Sequence, residues 1–183
     1  MNVVAFSGYS GSGKTTLIEQ LVGHLRTRGQ RVSVIKHAHH RFDIDHPGKD
    51  SWRHRQAGAF EVLIASDRRL ALMREFETST EPDAHGLIAQ LSPAADWVLV
   101  EGFKHGDLPK IEVWRAAARD RDGLMHPVGY PLDRRTVAVC TDLPAALPSS
   151  TDLPLLPLDD AVEVTLWLLE QSSRFRYEVP VHG

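Results

Sequence analysis

An α/β fold, a mostly parallel sheet flanked by helices with one added antiparallel β-hairpin, is predicted by three stretches of the 183-residue chain. In the first, Val3-Val4-Ala5-Phe6 is short, apolar and β-prone, as in a parallel strand buried on both faces. It leads through a glycine-rich turn into a segment that puts Leu17, Ile18, Leu21, Val22 and Leu25 on one helical face. In the second, Trp97-Val98-Leu99-Val100 is an apolar run ending in Glu101-Gly102, the pattern of a buried central strand. In the third, residues 60–65 and 70–76 are strand-like and joined by Ser66-Asp67-Arg68-Arg69, a hairpin signal that implies an antiparallel pair beside the parallel sheet.

The glycine-rich turn is Gly8-Tyr9-Ser10-Gly11-Ser12-Gly13-Lys14-Thr15, which has the spacing G-x-x-x-x-G-K-[ST] of a phosphate-binding P-loop. Consecutive backbone N–H groups can wrap a phosphate chain only where side chains do not block its approach, so glycines are needed at the bends. Lys14 adds a charge that reaches the β- and γ-phosphates. The Thr15 hydroxyl can take a place on Mg²⁺, and the following helix aims its positive end at the anion. Gly29 closes that helix.

Residues 31–35 read as a second strand, followed by a polar, histidine-dense loop over residues 36–51. In open α/β sheets ligands bind outside the carboxyl ends of strands, so this loop is expected at the same crevice as the P-loop. Asp43 and Asp45 are candidates for holding Mg²⁺ through water or for orienting an attacking water, with solvated loop acids as the alternative. His37, His39, His40 and His46 fit anion or substrate binding or a solvated loop better than a transition-metal site, since no cysteine lies near them. A short helix with a basic face, carrying Arg53 and Arg55, spans residues 51–59, and the hairpin after it offers a subunit contact or a charge-protected edge.

A helix is expected over residues 81–91. Glu101 emerges from its strand at the nucleotide end, where P-loop proteins place a second magnesium-directed acid. Strands are expected at 110–114 and 135–139. Asp142, just beyond the latter, can accept paired hydrogen bonds from N1 and N2 of guanine, which adenine cannot offer, or can be a turn residue before Pro144. A proline-rich passage to Pro157 crosses the surface, a closing helix capped by Asp159 or Asp160 covers 159–171, and a loose tail begins at Ser172.

Composition fits this reading. The length suits one domain over residues 1–183, and a net charge of −3 with a pI near 6.3 gives no global attraction to nucleic acid or anionic membrane. The lone Cys140 suits a reducing cytoplasm and a buried strand position. No apolar run approaches the ~20 residues of a membrane span, and the chain enters its first strand without a basic leader, as expected of a soluble cytoplasmic protein.

With these residues assembled, the chain resembles the MobB family of molybdopterin-guanine dinucleotide biosynthesis adapter proteins. The resemblance rests on residues 8–16, ending at Thr16; on Ile35-Lys36-His37-Ala38-His39-His40 with Asp43-Ile44-Asp45 and Pro47-Gly48-Lys49-Asp50-Ser51; on Ala57-Gly58-Ala59; on Val100-Glu101-Gly102-Phe103-Lys104-His105; and on Thr141-Asp142 with Pro144. Arg41 departs from the pattern, where an acid is unsurprising. The resemblance implies a P-loop fold of the signal-recognition/MinD-like GTPase class, usually dimeric, that binds GTP with Mg²⁺ and hydrolyses it weakly. Its implied work is beside the guanylyltransferase MobA in attaching GMP to molybdopterin, and at delivery to molybdoenzymes. On this reading residues Gly8 through Thr16 and Asp142 bind nucleotide, Thr15 and Glu101 hold the metal, and Lys14, Asp43, Asp45 and Glu101 act in catalysis. A small-molecule kinase with Arg53 and Arg55 on a lid, and a metallochaperone GTPase, are the alternative classes.

Overall fold

The computed structural model describes residues 1–38, 42–78 and 81–178. His39, His40 and Arg41 lie outside the described residues. The chain divides into two compact units, one of residues 1–37 with 83–183 and the other of residues 38–82.

The first unit is built on β1 (Asn2–Ser7), α1 (Lys14–Thr27) and β2 (Val32–Lys36). After the second unit, which contributes α2 (Asp50–Gln56), β3 (Glu61–Ala65) and β4 (Leu70–Arg74), it continues with α3 (Ala84–Ala89), β5 (Trp97–Glu101), β6 (Lys110–Trp114), β7 (Thr136–Thr141), β8 (Leu155–Pro157) and α4 (Ala161–Glu170). Its sheet has the order β2-β5-β1-β6-β7-β8, with every pairing parallel. The order reverses at β1, so the loop leaving β1 opens at the switch point where such sheets bind ligands.

Strand alternation sorts the core into two layers. Val4 and Phe6 of β1, Trp97 and Leu99 of β5 and Val113 of β6 pack with Leu17, Leu21 and Leu25 of α1 and Val164 and Leu168 of α4. Val3, Ala5, Val98 and Val100 face the other way, onto Ala84 and Ile88 of α3 and onto Leu108. No side chain from β5 is exposed, which agrees with its unbroken apolar run.

Several boundaries differ from the sequence expectation for identifiable reasons. The helix expected over 81–91 is confined to Ala84–Ala89, because Pro82 precedes it and Asp83 caps it by accepting from the Gly86 N–H at 2.7 Å. Asp160, not Asp159, caps α4, accepting from the Val162 and Glu163 N–H groups at 3.0 Å. The proline-rich passage contains a strand, β8, whose edge position tolerates Pro157. The loose tail is corrected over residues 172–178: Ser172–Phe175 is a 3₁₀ turn, Phe175 is buried against Trp97 and Trp167, and the Tyr177 N–H donates to the Met1 carbonyl at 2.9 Å.

The second unit holds α2 (Asp50–Gln56) and the hairpin of β3 (Glu61–Ala65) with β4 (Leu70–Arg74). The hairpin forms a two-stranded antiparallel sheet of its own, with Leu63 opposite Leu72 and Ala65 opposite Leu70. Among the described residues no helix is long and apolar enough to cross a membrane.

Candidate nucleotide site

Three glycines of the loop after β1 take left-handed backbone angles, φ 135° at Gly8, 78° at Gly11 and 96° at Gly13. At Gly8 the reason is also steric, since a Cβ there would stand 2.3 Å from the Val113 carbonyl oxygen of β6. Gly13 is the N-cap of α1 and has no side chain to satisfy the first-turn N–H groups, which suits them to an anion. The Lys14 ammonium curls over the loop and donates to the carbonyls of Gly8 at 2.9 Å and Tyr9 at 2.6 Å and to Ser12 Oγ at 3.4 Å. Burial holds the Lys14 ammonium below the ordinary lysine range, the Glu101 carboxylate opposes that, and the nearby charge of Lys36 adds to it. Ser10, Gly11, Thr15 and Thr16 are exposed, while Ser12 is buried.

The parallel register pairs Phe6 with Glu101 and Lys36 with Glu101 across three adjacent strands. Their carboxyl ends therefore meet the start of α1. The Thr15 hydroxyl donates to Glu101 Oε1 at 2.8 Å, and the Lys36 ammonium lies 3.2 Å from the same oxygen and 3.4 Å from Thr15 Oγ1. A nearly buried carboxylate beside a hydroxyl is an all-oxygen donor pair, as Mg²⁺ requires when water and substrate phosphate complete its shell. The two residues selected from sequence for the metal are thus in contact. Lys36 is a third member that the sequence reading left among the loop residues.

Loops on either side frame this centre. Tyr9 stacks on His126 with ring centroids 4.4 Å apart, and the Lys104 ammonium stands 4.2 Å from the Tyr9 ring centre. The buried Lys110 ammonium donates to the carbonyls of Lys104 and Gly106, each at 2.8 Å, and pairs with Asp133 at 2.8 Å, fixing the turn that follows Glu101. Phe103 in that turn has φ 50° and stacks on His37 at 4.7 Å.

Asp142 lies at the carboxyl end of β7. Its Oδ1 accepts from the Ala116 N–H at 2.9 Å, and Oδ2 is 3.5 Å from Arg115, whose other nitrogen donates to Asp159 at 3.1 Å. The Arg115 guanidinium also stands about a van der Waals contact from where a Gly13 Cβ would be, 3.5 Å away. Arg115 thus stands near both Asp142 and Gly13 of the loop.

Asp43 and Asp45 belong to the second unit and share Arg55, at 3.0 and 3.2 Å, while Arg55 Nε donates to Glu75 at 2.7 Å. The Asp45 N–H and the Arg55 guanidinium hold the Asp43 carboxyl below the usual aspartate range. Asp45 is also held low: burial works against it, but bonds from Ser51, the His46 N–H and Arg55 prevail. Three carboxylates around one guanidinium describe a closed network, which suits neither a free metal ligand nor an arginine waiting to close over an acceptor. Among the described residues no group of three or more His, Cys, Asp or Glu is placed to hold a metal ion.

Comparison with known proteins agrees with the geometry. The family model described as molybdopterin guanine dinucleotide synthesis protein B matches residues 3–142. A protein of Escherichia coli (strain K12) named molybdopterin-guanine dinucleotide biosynthesis adapter protein is 39% identical over 176 residues, covering 93% of this chain and 95% of that one. Its namesake in Haemophilus influenzae is 42% identical over 144 residues, covering 78% and 75%. The crystal structure of Bacillus subtilis MobB superposes with a TM-score of 0.68 at 26% identity, covering 97% of this chain and all of that one.

Proposed function

The chain belongs to the family of molybdopterin guanine dinucleotide synthesis protein B, and from that premise we propose that it is a GTP-binding, weakly GTP-hydrolysing adapter in molybdenum cofactor biosynthesis. It assists conversion of molybdopterin to its guanine dinucleotide, working in the cytoplasm beside the guanylyltransferase MobA, as a single P-loop protein that pairs into a homodimer. The names of its relatives support the adapter role. The observation that carries nucleotide binding is the contact of Thr15 with Glu101 beside a glycine loop whose lysine is already folded across it.

Residues of this chain divide the work. The backbone N–H groups of Gly8 through Thr15, with the Lys14 ammonium, bind and orient the phosphates. Thr15 Oγ1 and Glu101 hold Mg²⁺, which supplies neutralisation of phosphate charge when bound. Thr16, one residue into α1, completes the binding stretch. Asp142 reads the guanine edge, fixed in orientation by the Ala116 N–H. Among the described residues Arg115, the arginine beside the loop, is shared by Asp142 and Asp159 and does not serve as a finger, so turnover on the order of 10⁻⁴ to 10⁻² per second is expected. Asp43 and Asp45 keep a catalytic part in this reading only if Arg55 releases them.

Calorimetric titration with a non-hydrolysable GTP analogue and its ATP counterpart in Mg²⁺ tests the reading. Wild type is expected to prefer the guanine nucleotide and Asp142→Ala to lose most of that preference, a site built on such bonds discriminating by up to ~10⁴-fold. Equal affinity of wild type for both nucleotides would remove Asp142 from the base site.

A further inference from the structure

Lys36 is the last residue of β2, an edge strand, where an exposed lysine ordinarily serves to keep the edge from pairing. This lysine does something more specific. Its side chain is 56% exposed, yet its ammonium is given to Glu101 Oε1 at 3.2 Å and Thr15 Oγ1 at 3.4 Å, the two oxygens that carry the metal in the reading above. It is also close enough to the Lys14 ammonium for its charge to depress that group.

We infer that Lys36 is a γ-phosphate-binding residue that distinguishes nucleoside triphosphate from diphosphate, and that Glu101 and Thr15 store its ammonium until metal and nucleotide bind. The inference rests on the nucleotide reading and deepens it. A divalent cation held by Glu101 and Thr15 would compete with the ammonium for the same two oxygens and repel it. The ammonium would then be displaced. It can move cheaply, because its four-carbon stem is flexible and half in water.

Its destination is limited by its root. Lys36 Cα is in register with Glu101 across β2 and β5, at the carboxyl end of the sheet and beside the Lys14 ammonium that takes the β- and γ-phosphates. A group displaced from Glu101 but tethered there can reach the outermost phosphate and has no comparable partner in a diphosphate. An ammonium on the γ-phosphate oxygens also opposes charge that develops there during transfer, a place that Arg115, held by Asp142 and Asp159, does not take. No bond forms to Lys36 and no proton leaves it.

The test is calorimetry with GDP and with a non-hydrolysable GTP analogue, in saturating Mg²⁺, on wild type, Lys36→Met and Lys36→Arg. Lys36→Met is expected to weaken the analogue about tenfold or more and GDP less than about twofold, with Lys36→Arg keeping most of the affinity, as for loss of one charge-assisted hydrogen bond. A Mg²⁺ titration of GDP binding adds a second readout: Lys36→Met should need severalfold less Mg²⁺, since no ammonium competes for Glu101. An unchanged ratio of analogue to GDP affinity in Lys36→Met overturns the γ-phosphate role. An unchanged or increased Mg²⁺ requirement overturns the storage of the ammonium on Glu101 and Thr15. Wild type that binds neither nucleotide sinks the nucleotide reading and this inference together, and is recognised before any variant is measured.

Discussion

Leu99 at the middle of β5 is wholly buried, whereas Leu72 at the middle of β4 is 43% exposed, and the contrast extends to the two units that contain them. In the first, every strand from β5 to β7 buries apolar side chains on both faces, and two helical layers complete the core. In the second, Val62 is the one apolar side chain buried among the described residues, while Phe60, Leu63, Ile64, Leu70 and Phe76 are exposed. Its organisation comes from charge, through Arg55 with Asp43, Asp45 and Glu75. Apolar burial contributes roughly 25 cal/mol per Å² with no demand on direction, while ion pairs must first offset the desolvation of their own charges and depend on pH. The first unit is therefore expected to be the stable frame and the second the part that opens first.

The largest effect should come from the place where the first unit has no slack. Gly8→Ala puts a Cβ 2.3 Å from a β6 carbonyl at φ 135°, which only movement of backbone could relieve, so a loss of ~4 kcal/mol or failure to fold is expected. Gly11→Ala in the same loop meets nothing within 4 Å and should cost only ~1 kcal/mol, the strain of a left-handed alanine. Urea unfolding of the two variants compares them directly. Similar losses would show that the loop is not braced on β6.

The charged unit should yield to smaller insults, and without disturbing its neighbour. Arg55→Leu leaves Asp43, Asp45 and Glu75 facing each other, so limited proteolysis within residues 38–82 is expected to quicken severalfold. Cys140 reports on the other unit: burial, with the Asp159 charge, pushes its thiol up to about 12, so it should stay unreactive to disulfide reagents in the variant until global unfolding. Acid should mimic the substitution. The carboxyls of Asp43 and Asp45 are lower in the folded protein than their ordinary 3.8, so their contribution is complete above about pH 4 and is lost as pH falls through the folded values. Protease sensitivity that rises only together with Cys140 reactivity would mean that the two units unfold as one.

The same division decides what was legible in the sequence. Buried parallel strands announce themselves as apolar runs, and a P-loop is a local pattern of glycines and a lysine, so β1, β5, Lys14, Thr15 and Glu101 could be read directly. β8 could not, because three residues ending in proline carry too little pattern, and their pairing with β7 depends on distant sequence. Lys36 is legible only as the first residue of the 36–51 loop, with no role of its own; the signal that singles it out is its position level with Glu101 in two parallel strands. The acids Asp43 and Asp45 were recognised as a pair, but their partner lies ten and twelve residues away on α2, and no spacing rule marks Arg55 as the residue they share.

The smallest expected change in stability is also the one that tests why an apolar hairpin is left uncovered. Leu63 opposite Leu72 and Ala65 opposite Leu70 give one side of the hairpin a continuous apolar strip, and contiguous exposed apolar surface of this kind marks a contact. Leu72→Ser removes a half-exposed side chain, so the monomer should lose no more than ~0.5 kcal/mol. If the hairpin carries the proposed homodimer, the same substitution shifts the monomer–dimer equilibrium by about tenfold or more in sedimentation, because two copies of the strip meet in an isologous interface and both are altered at once. A wild-type protein that sediments as a monomer at every concentration would leave the strip to another partner. A dimer indifferent to Leu72→Ser would put the interface on the larger unit, whose strands owe their burial to their own helices.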